Sequence, residues 1–194
     1  PILARLAEDD RVYGPLSQLL APGFIWVASD GNQYVGDTAW HTDKRPSPGY
    51  RQIKVIFYLD TLSKDDGCLR VIPGSHKAPF HHTLKILQEG DGESGPDPFS
   101  VAQVDIPSHP IETSPGDVIF FHQSLFHASF GGGNGRRMFT LVFAEKPQTQ
   151  EEISYVRGFG YSFKPRKSLV NSDSPRILGM MDRLVELGLD ITDP

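Results

Sequence analysis

The sequence predicts a mainly β fold, a sandwich or barrel, with helices at both ends of the chain. Short segments rich in β-branched and aromatic residues recur at close spacing, and turns containing Gly or Pro separate them. This pattern favours a sandwich or barrel over a parallel α/β sheet. The length of 194 residues suits one domain with a sizeable core, so we expect residues 1–194 to form a single domain.

The first part of the chain contains the predicted N-terminal helices and the first strands. Leucines at helical spacing over residues 2–20, interrupted near Gly14-Pro15, predict one or two short helices. A strand over 24–27 and a returning strand over 33–35 flank a turn at 30–32.

The middle of the chain contains the clearest strand, over residues 52–60, and we expect 68–72 to be its partner. Residues 77–100 are polar and rich in Gly and Pro after a short helical segment at 84–88. Such an excursion is typical of a functional lid or of a solvated insertion. A short strand follows over 104–106.

The last part of the chain contains strands over 118–122 and 136–144, separated by a glycine-rich turn at 131–135. Near the end, Ser174 is a typical N-cap and is followed by a proline at the first helical position. The apolar spacing after it predicts an amphipathic helix over about 175–187.

Charge and cysteine content exclude several classes of function. A formal net charge of −5 argues against a nucleic-acid partner or an anionic membrane surface. Cys68 is the only cysteine, so neither an internal disulfide nor a cysteine-based zinc site can form. No apolar run approaches the roughly 18 residues of a membrane span. We therefore expect a cytoplasmic protein.

The stretch Trp40-His41-Thr42-Asp43 carries the first chemical signal. In extended backbone, residues two apart point to the same face, so the His41 imidazole and the Asp43 carboxylate can aim at one point. Together they can hold a divalent metal and leave most of its coordination sphere free. His127, between a predicted strand and the glycine turn, is the best third ligand, and His122 is the alternative. The other histidines are expected to be surface or turn residues, namely His76, His81, His82 and His109.

Two histidines and one carboxylate form the facial triad typical of non-haem Fe(II) oxygenases. A zinc-dependent hydrolase can use the same donors, although this sequence lacks the helical H-E-x-x-H that pairs a general base with zinc.

An arginine pair after the glycine turn supplies the second signal. A 2-oxo acid that chelates iron would point its distal carboxylate toward a guanidinium, which can bind it through two hydrogen bonds. Strand parity puts Arg136 and Thr140 on one face and Arg137 on the other. We prefer Arg136 with Thr140, because a hydroxyl on the same face suits a carboxylate, and Arg137 stays the alternative.

Five motifs follow one another over roughly residues 24–144: Trp40-His41-Thr42-Asp43, Leu69-Arg70-Val71-Ile72-Pro73-Gly74-Ser75-His76, Pro115-Gly116-Asp117-Val118-Ile119-Phe120-Phe121-His122, His127-Ala128-Ser129 and Arg136. In their order and separations they resemble the phytanoyl-CoA dioxygenase family. The resemblance implies a double-stranded β-helix (a jelly roll, cupin-like), an Fe(II) cofactor and 2-oxoglutarate as cosubstrate. It also implies that His41, Asp43 and His127 bind iron and that Arg136 binds 2-oxoglutarate.

The function expected from these observations is an Fe(II)- and 2-oxoglutarate-dependent dioxygenase. It would use dioxygen to hydroxylate a small-molecule substrate, releasing succinate and carbon dioxide. Asp43 favours hydroxylation, since related halogenases lack this carboxylate. The alternatives are a catalytically degenerate member that binds a metal or ligand, and a zinc-dependent hydrolase or an isomerase on a cupin-like barrel. The oligomeric state is not predicted.

Loop cations and nearby aromatic residues suggest an anionic or polar substrate. The candidate substrate residues are Lys44, Arg45, Arg51, Gln52, Lys54, Trp26 and Trp40.

Overall fold

The computed structural model describes residues 2–43, 50–88, 101–133, 135–159, 164–188 and 191–192. Within these ranges the strands are β1 (Ile25–Tyr34), β2 (Thr38–His41), β3 (Gln52–Tyr58), β4 (Leu69–Val71), β5 (His109–Ile111), β6 (Val118–His122), β7 (His127–Ser129) and β8 (Arg136–Ala144). The helices are α1 (Arg5–Glu8), α2 (Asp10–Leu20), α3 (Phe80–Thr83), α4 (Gln150–Phe159), α5 (Lys167–Val170) and α6 (Pro175–Glu186). Short 3₁₀ turns cover Ile2–Ala4, Lys85–Gln88 and Gln103–Asp105.

The described strands form two four-stranded sheets, with orders β1-β8-β3-β6 and β2-β7-β4-β5. The mainly β class with helices at both ends is therefore confirmed. The backbone also divides into two compact units: residues 1–30, 47–55 and 140–194, and residues 31–46 and 56–139. The assignment of residues 1–194 to one domain stays a prediction.

The first unit contains the terminal helices. α2 passes through Pro15, where we expected an interruption, because burial of Val12, Leu16 and Leu20 outweighs the hydrogen bond that a proline removes. The predicted C-terminal helix is present as α6, and the Ser174 hydroxyl accepts the N–H of Ile177 at its start.

The second unit contains the whole β2-β7-β4-β5 sheet, whose described pairs are antiparallel. His41 lies directly opposite His127 in the β2–β7 register. Because side chains alternate along a strand, these histidines share one face, while Trp40 and Ala128 point to the other. That other face is covered by a buried apolar cluster made of Trp40, Ile72, Leu84, Leu87, Ile106, Phe126, Ala128 and Phe130. This cluster packs against one face of β2 and β7, and His41 and His127 lie on the opposite face.

Three strand predictions are wrong. β1 continues through residues 30–32, where we predicted a turn, and its polar part is exposed along an edge strand. Residues 103–105 form a 3₁₀ turn where we predicted a strand. β4 pairs with β5 and β7 and lies in a different sheet from β3. The connection between β3 and β4 is bonded instead to the segment after β5, where Leu62 and Thr113 exchange backbone hydrogen bonds of 2.8 and 3.0 Å.

The first part of the predicted lid is packed against the core, because Leu84 and Leu87 belong to the buried cluster. Residues 89–100 lie outside the described ranges. None of the helices in the described ranges combines the length and the apolar character that crossing a membrane requires.

Candidate metal centre

Three of the predicted site residues come together in the second unit. The Nε2 atoms of His41 and His127 lie 3.9 and 3.8 Å from Asp43 Oδ1, and the three donor atoms are all within 4.8 Å of one another. Strand pairing explains the meeting of the histidines, and the H-x-D spacing brings in the carboxylate. The His127 side chain is 5% exposed, whereas those of His41 and Asp43 are open to solvent on one side.

Backbone carbonyls set the tautomer and the ring orientation of both histidines. His41 Nδ1 lies 2.8 Å from Ala39 O, and His127 Nδ1 lies 2.8 Å from Leu125 O. A carbonyl oxygen can only accept, so Nδ1 must donate the hydrogen in each ring. Nε2 then presents a lone pair to the centre in the neutral imidazole, which is the form that binds a metal.

Asp43 is held by the same part of the chain as His127. Its backbone N–H donates to Gln123 O at 3.1 Å, and Gln123 lies in the turn between β6 and β7. The Phe121 ring packs edge-on against the His127 imidazole with centroids 5.0 Å apart, which leaves that ring little freedom to turn.

The donor set fits a six-coordinate divalent ion. Bonds of about 2.1 Å at right angles place neighbouring donors about 3 Å apart. The observed separations of 3.8 and 3.9 Å need to shorten by less than about 1 Å to reach that geometry. Two imidazole nitrogens and one carboxylate oxygen on one side of an ion leave three positions for other ligands.

Arg136 begins β8 and is buried, with 3% of its surface exposed. Its Nη1 donates to Gly36 O at 2.9 Å, and its Nη2 donates to Thr38 Oγ1 at 3.0 Å. The Tyr34 ring lies beside the guanidinium, 5.8 Å from Cζ to the ring centroid. Among the described residues no carboxylate forms a salt bridge with this buried charge. A buried guanidinium that has only neutral acceptors can bind an added anion.

Arg137 has the opposite environment, as strand parity predicts. Its exposed guanidinium pairs with Asp60, with Nη2 and Nε at 2.6 and 3.1 Å from Oδ1. This pairing raises the pKa of Arg137 and lowers the pKa of Asp60.

Glycines without side chains make room for the Arg136 guanidinium. A β-carbon at Gly132 would overlap Arg136 Nη1 and come within 2.8 Å of Gly36 O. A β-carbon at Gly67, which has φ +85°, would lie 3.1 Å from the same nitrogen. The backbone N–H of Gly36 donates to Gly132 O at 2.9 Å. The glycine-rich turn therefore closes around Arg136.

Tyr58 is a site candidate that the sequence reasoning missed. It is buried near Arg136, and burial raises the pKa of its phenol to about 12, although the positive charge of Arg136 acts in the opposite direction. The sequence signal that could have identified Tyr58 was its position at the end of the clearest predicted strand, which the structure shows as β3. Thr140, predicted beside Arg136, is buried on the same face of β8 by parity.

The two predicted aromatic walls are core residues. Trp40 is 1% exposed, and its indole N–H donates to Gln103 O at 2.8 Å. Trp26 is buried as well, and its indole N–H donates to Ala28 O at 2.9 Å. Both rings lie in apolar surroundings, and the expectation that Trp26 lines a substrate pocket stays a prediction. An open cavity of about 320 Å³ beside β2 is lined by Thr38, Ala39, Trp40, His41, Leu87 and Gln88, so Trp40 contributes to its wall.

The predicted polar substrate residues within the described ranges have different environments. Arg51 is exposed and pairs with Glu145, with Nε 2.6 Å from Oε1. Gln52 is buried and its Oε1 accepts the Tyr155 hydroxyl at 3.4 Å. Lys54 is half-buried on β3. Lys44 and Arg45 lie outside the described residues. The substrate roles of these five residues stay predictions.

The remaining histidines behave differently from one another. His122, the alternative third ligand, stacks on His76 with centroids 5.3 Å apart, and its Nδ1 accepts the N–H of Ser124. His81, expected at the surface, is buried, and its Nδ1 donates to Ser75 O at 3.0 Å. Residues 80–83 are helical and turn this ring inward against Phe126. His109 is exposed as expected.

We expect the metal-free protein to lose stability on acidification. Burial lowers the pKa of His81 and of His76 below the usual value of 6.5, and for His81 it outweighs the hydrogen bond to Ser75 O, which raises the pKa. As the pH falls below 6.5, the unfolded chain binds these protons before the folded chain does, so the free energy of unfolding decreases. Chemical denaturation between pH 7.5 and 5.5 measures the decrease. It should be smaller in His81→Gln, whereas His109→Gln should match the unmodified protein. An equal decrease in all three proteins would contradict the assignment to His81.

The family model described as phytanoyl-CoA dioxygenase matches residues 16–138. A curated relative, the 2-aminoethylphosphonate dioxygenase of uncultured bacterium HF130_AEPn_1, is 23% identical over 164 residues. The match covers 80% of this chain but only 59% of the relative's length.

Solved structures share the fold. EctD from S. alaskensis, with 2-oxoglutarate and 5-hydroxyectoine, is 25% identical with a TM-score of 0.54, covering 75% of this chain and 52% of that one. HygX from Streptomyces hygroscopicus, with iron bound, is 17% identical with a TM-score of 0.57, covering 75% of this chain and 68% of that one. Together with the two sheets described above, these similarities confirm the double-stranded β-helix, or jelly roll, that the sequence motifs implied.

Proposed function

Because this chain belongs to the phytanoyl-CoA dioxygenase family, we propose that it is an Fe(II)- and 2-oxoglutarate-dependent dioxygenase that hydroxylates a small molecule. The products from the cosubstrate would be succinate and carbon dioxide. The single observation that carries the proposal is the convergence of His41 Nε2, Asp43 Oδ1 and His127 Nε2 on one point.

In this proposal His41, Asp43 and His127 hold the ferrous ion. When bound, the ion would supply the open coordination positions and the redox chemistry that dioxygen and a 2-oxo acid require. The chain's own contribution is orientation. Ala39 O and Leu125 O keep the Nδ1 protons of the two histidines in place, so that both Nε2 lone pairs stay aimed at the centre.

Arg136 is the proposed binding residue for the distal carboxylate of 2-oxoglutarate. Its burial, its neutral partners and the absence of a salt bridge within the described residues support this role over Arg137, which Asp60 already neutralises. Thr140 and Tyr58 are proposed to offer hydroxyl groups to the same carboxylate. Bidentate binding by a buried guanidinium would fix the cosubstrate along its length.

The proposed primary substrate is a polar or anionic small molecule. The named ligands of the relatives, 2-aminoethylphosphonate and 5-hydroxyectoine, are small molecules. Together with Lys44 and Arg45, the candidate substrate residues predicted from the sequence, these ligands support a polar or anionic small molecule as the primary substrate. The chain spans 59% of the curated relative's length, and we propose a substrate class only.

A catalytically degenerate binding protein and a zinc-dependent hydrolase are the competing functions. A zinc-dependent hydrolase does not account for a buried Arg136 without a salt bridge in the described residues. A degenerate member that binds 2-oxoglutarate would keep this arginine but would release no succinate. Anaerobic addition of Fe(II) and then 2-oxoglutarate tests the difference, because a keto acid chelated to ferrous iron absorbs weakly in the visible range. We expect this band to appear, and to be followed in air by succinate release that a suitable substrate accelerates. Metal binding without the band would refute the dioxygenase.

A further inference from the structure

We infer that Ser75 is a positioning residue for the metal centre, acting through the turn between β6 and β7. The inference rests on the proposed function, since it concerns the same three ligands. Ser75 does not touch them. It holds the backbone that orients two of them.

The turn at 123–126 supports two of the ligands. Gln123 O accepts the backbone N–H of Asp43 at 3.1 Å, and Leu125 O accepts the Nδ1–H of His127 at 2.8 Å. Two carbonyls only two residues apart therefore set the position of the carboxylate and the rotation of the imidazole. A small shift of this turn would move both donor atoms at once.

Ser75 holds the last residue of that turn. Its Oγ accepts the backbone N–H of Phe126 at 2.8 Å, and the backbone N–H of Ile72 donates to Phe126 O at 3.0 Å. Ser75 and Phe126 are both 0% exposed. Both polar backbone groups of Phe126 are thus satisfied by the 72–75 segment, and Phe126 lies directly between Leu125 and His127.

Ser75 is itself fixed from two sides. Its backbone N–H donates to Ile72 O at 3.1 Å, and its carbonyl accepts the Nδ1–H of the buried His81 at 3.0 Å. The hydroxyl therefore has little freedom to follow a displaced turn. Removing it would leave the Phe126 N–H buried without an acceptor, and the turn would have to move to find one.

The proposed test measures metal affinity apart from activity. Co(II) binding to the metal-free protein is titrated by calorimetry and by its visible d–d spectrum, and the melting temperature without metal is recorded in parallel. For Ser75→Ala we expect about a tenfold loss of Co(II) affinity and an altered d–d spectrum, since groups that orient metal ligands typically contribute 10- to 100-fold in affinity. Ser75→Thr, which keeps the hydroxyl, should restore affinity to within about threefold.

A matched control removes another buried hydroxyl from the same unit. Thr113→Val deletes a hydroxyl that has no hydrogen-bond partner among the described residues, and it should leave Co(II) affinity unchanged. If Ser75→Ala does not fold, Ser75→Cys, with its weaker acceptor, should fold and bind Co(II) more weakly than the unmodified protein.

The possible results distinguish a failure of the Ser75 positioning role from a failure of the proposed metal centre. Unchanged Co(II) affinity in a folded Ser75→Ala or Ser75→Cys protein would overturn the positioning role and leave the proposed function standing. Failure of the unmodified protein to bind Co(II), or binding that does not depend on His127, would refute the metal centre itself.

Discussion

Replacement of His127 by alanine should remove ferrous-ion binding and stop succinate release. In the proposed centre His127 is one of three donors and the most buried of them, so water would be a poor substitute for its Nε2 at that position. Because changes to groups that merely orient ligands typically cost 10- to 100-fold in metal affinity, loss of a donor should cost more than about 100-fold. Calorimetric titration with Fe(II) under anaerobic conditions measures the affinity. Asp43→Ala should behave in the same way.

His109→Ala is the matched control, because it makes the same replacement at an exposed histidine in the same unit. It should keep full Fe(II) affinity and full activity. If His122→Ala removed metal binding while His127→Ala did not, the third ligand would have been assigned to the wrong histidine.

Arg136→Gln should raise the concentration of 2-oxoglutarate needed for half-maximal activity by about 100-fold. Truncating one side of a buried charged pair costs on the order of 3 kcal/mol, part of which is the penalty for leaving the carboxylate unpaired. Affinity for Fe(II) should stay within about threefold of the unmodified protein, since Arg136 contacts Gly36 and Thr38 and none of the three donors in the interactions described. Titration of the anaerobic visible band with 2-oxoglutarate measures the effect directly.

The neighbouring arginine provides a matched control. Arg137→Gln removes an exposed guanidinium whose partner is Asp60, and exposed ion pairs contribute little. Its 2-oxoglutarate requirement should be unchanged. A large effect at Arg137 with none at Arg136 would show that the strand-parity assignment was reversed.

Local patterns predicted the parts of the molecule that depend on local geometry. The H-x-D spacing placed His41 and Asp43 on one face, and strand parity separated a buried Arg136 from an exposed Arg137. The N-cap at Ser174 located the start of α6. In each case the pattern itself spans only a few residues, although partners distant in the sequence, such as Gln123 for Asp43 and Asp60 for Arg137, hold these residues in place.

Features that depend on long-range pairing were not predictable in the same way. β5 and β7 have three residues each, too few for an alternation to be recognised, and they are strands because β4 lies between them. The predicted pairing of β4 with β3 was wrong, because apolar alternation along a strand carries no information about which sheet that strand joins. The inward orientation of the His81 ring likewise depends on packing against Phe126, which is distant in the sequence, together with the hydrogen bond to Ser75 O.

The close approach of Gly132 to Arg136 has a consequence for how this protein can vary. Position 132 contributes no side chain, yet a β-carbon there, which every other amino acid carries, would overlap Arg136 Nη1 and crowd Gly36 O. In a library of single substitutions, this glycine should be as intolerant of replacement as a residue that takes part in chemistry. A search for functional positions that considered only reactive side chains would overlook it.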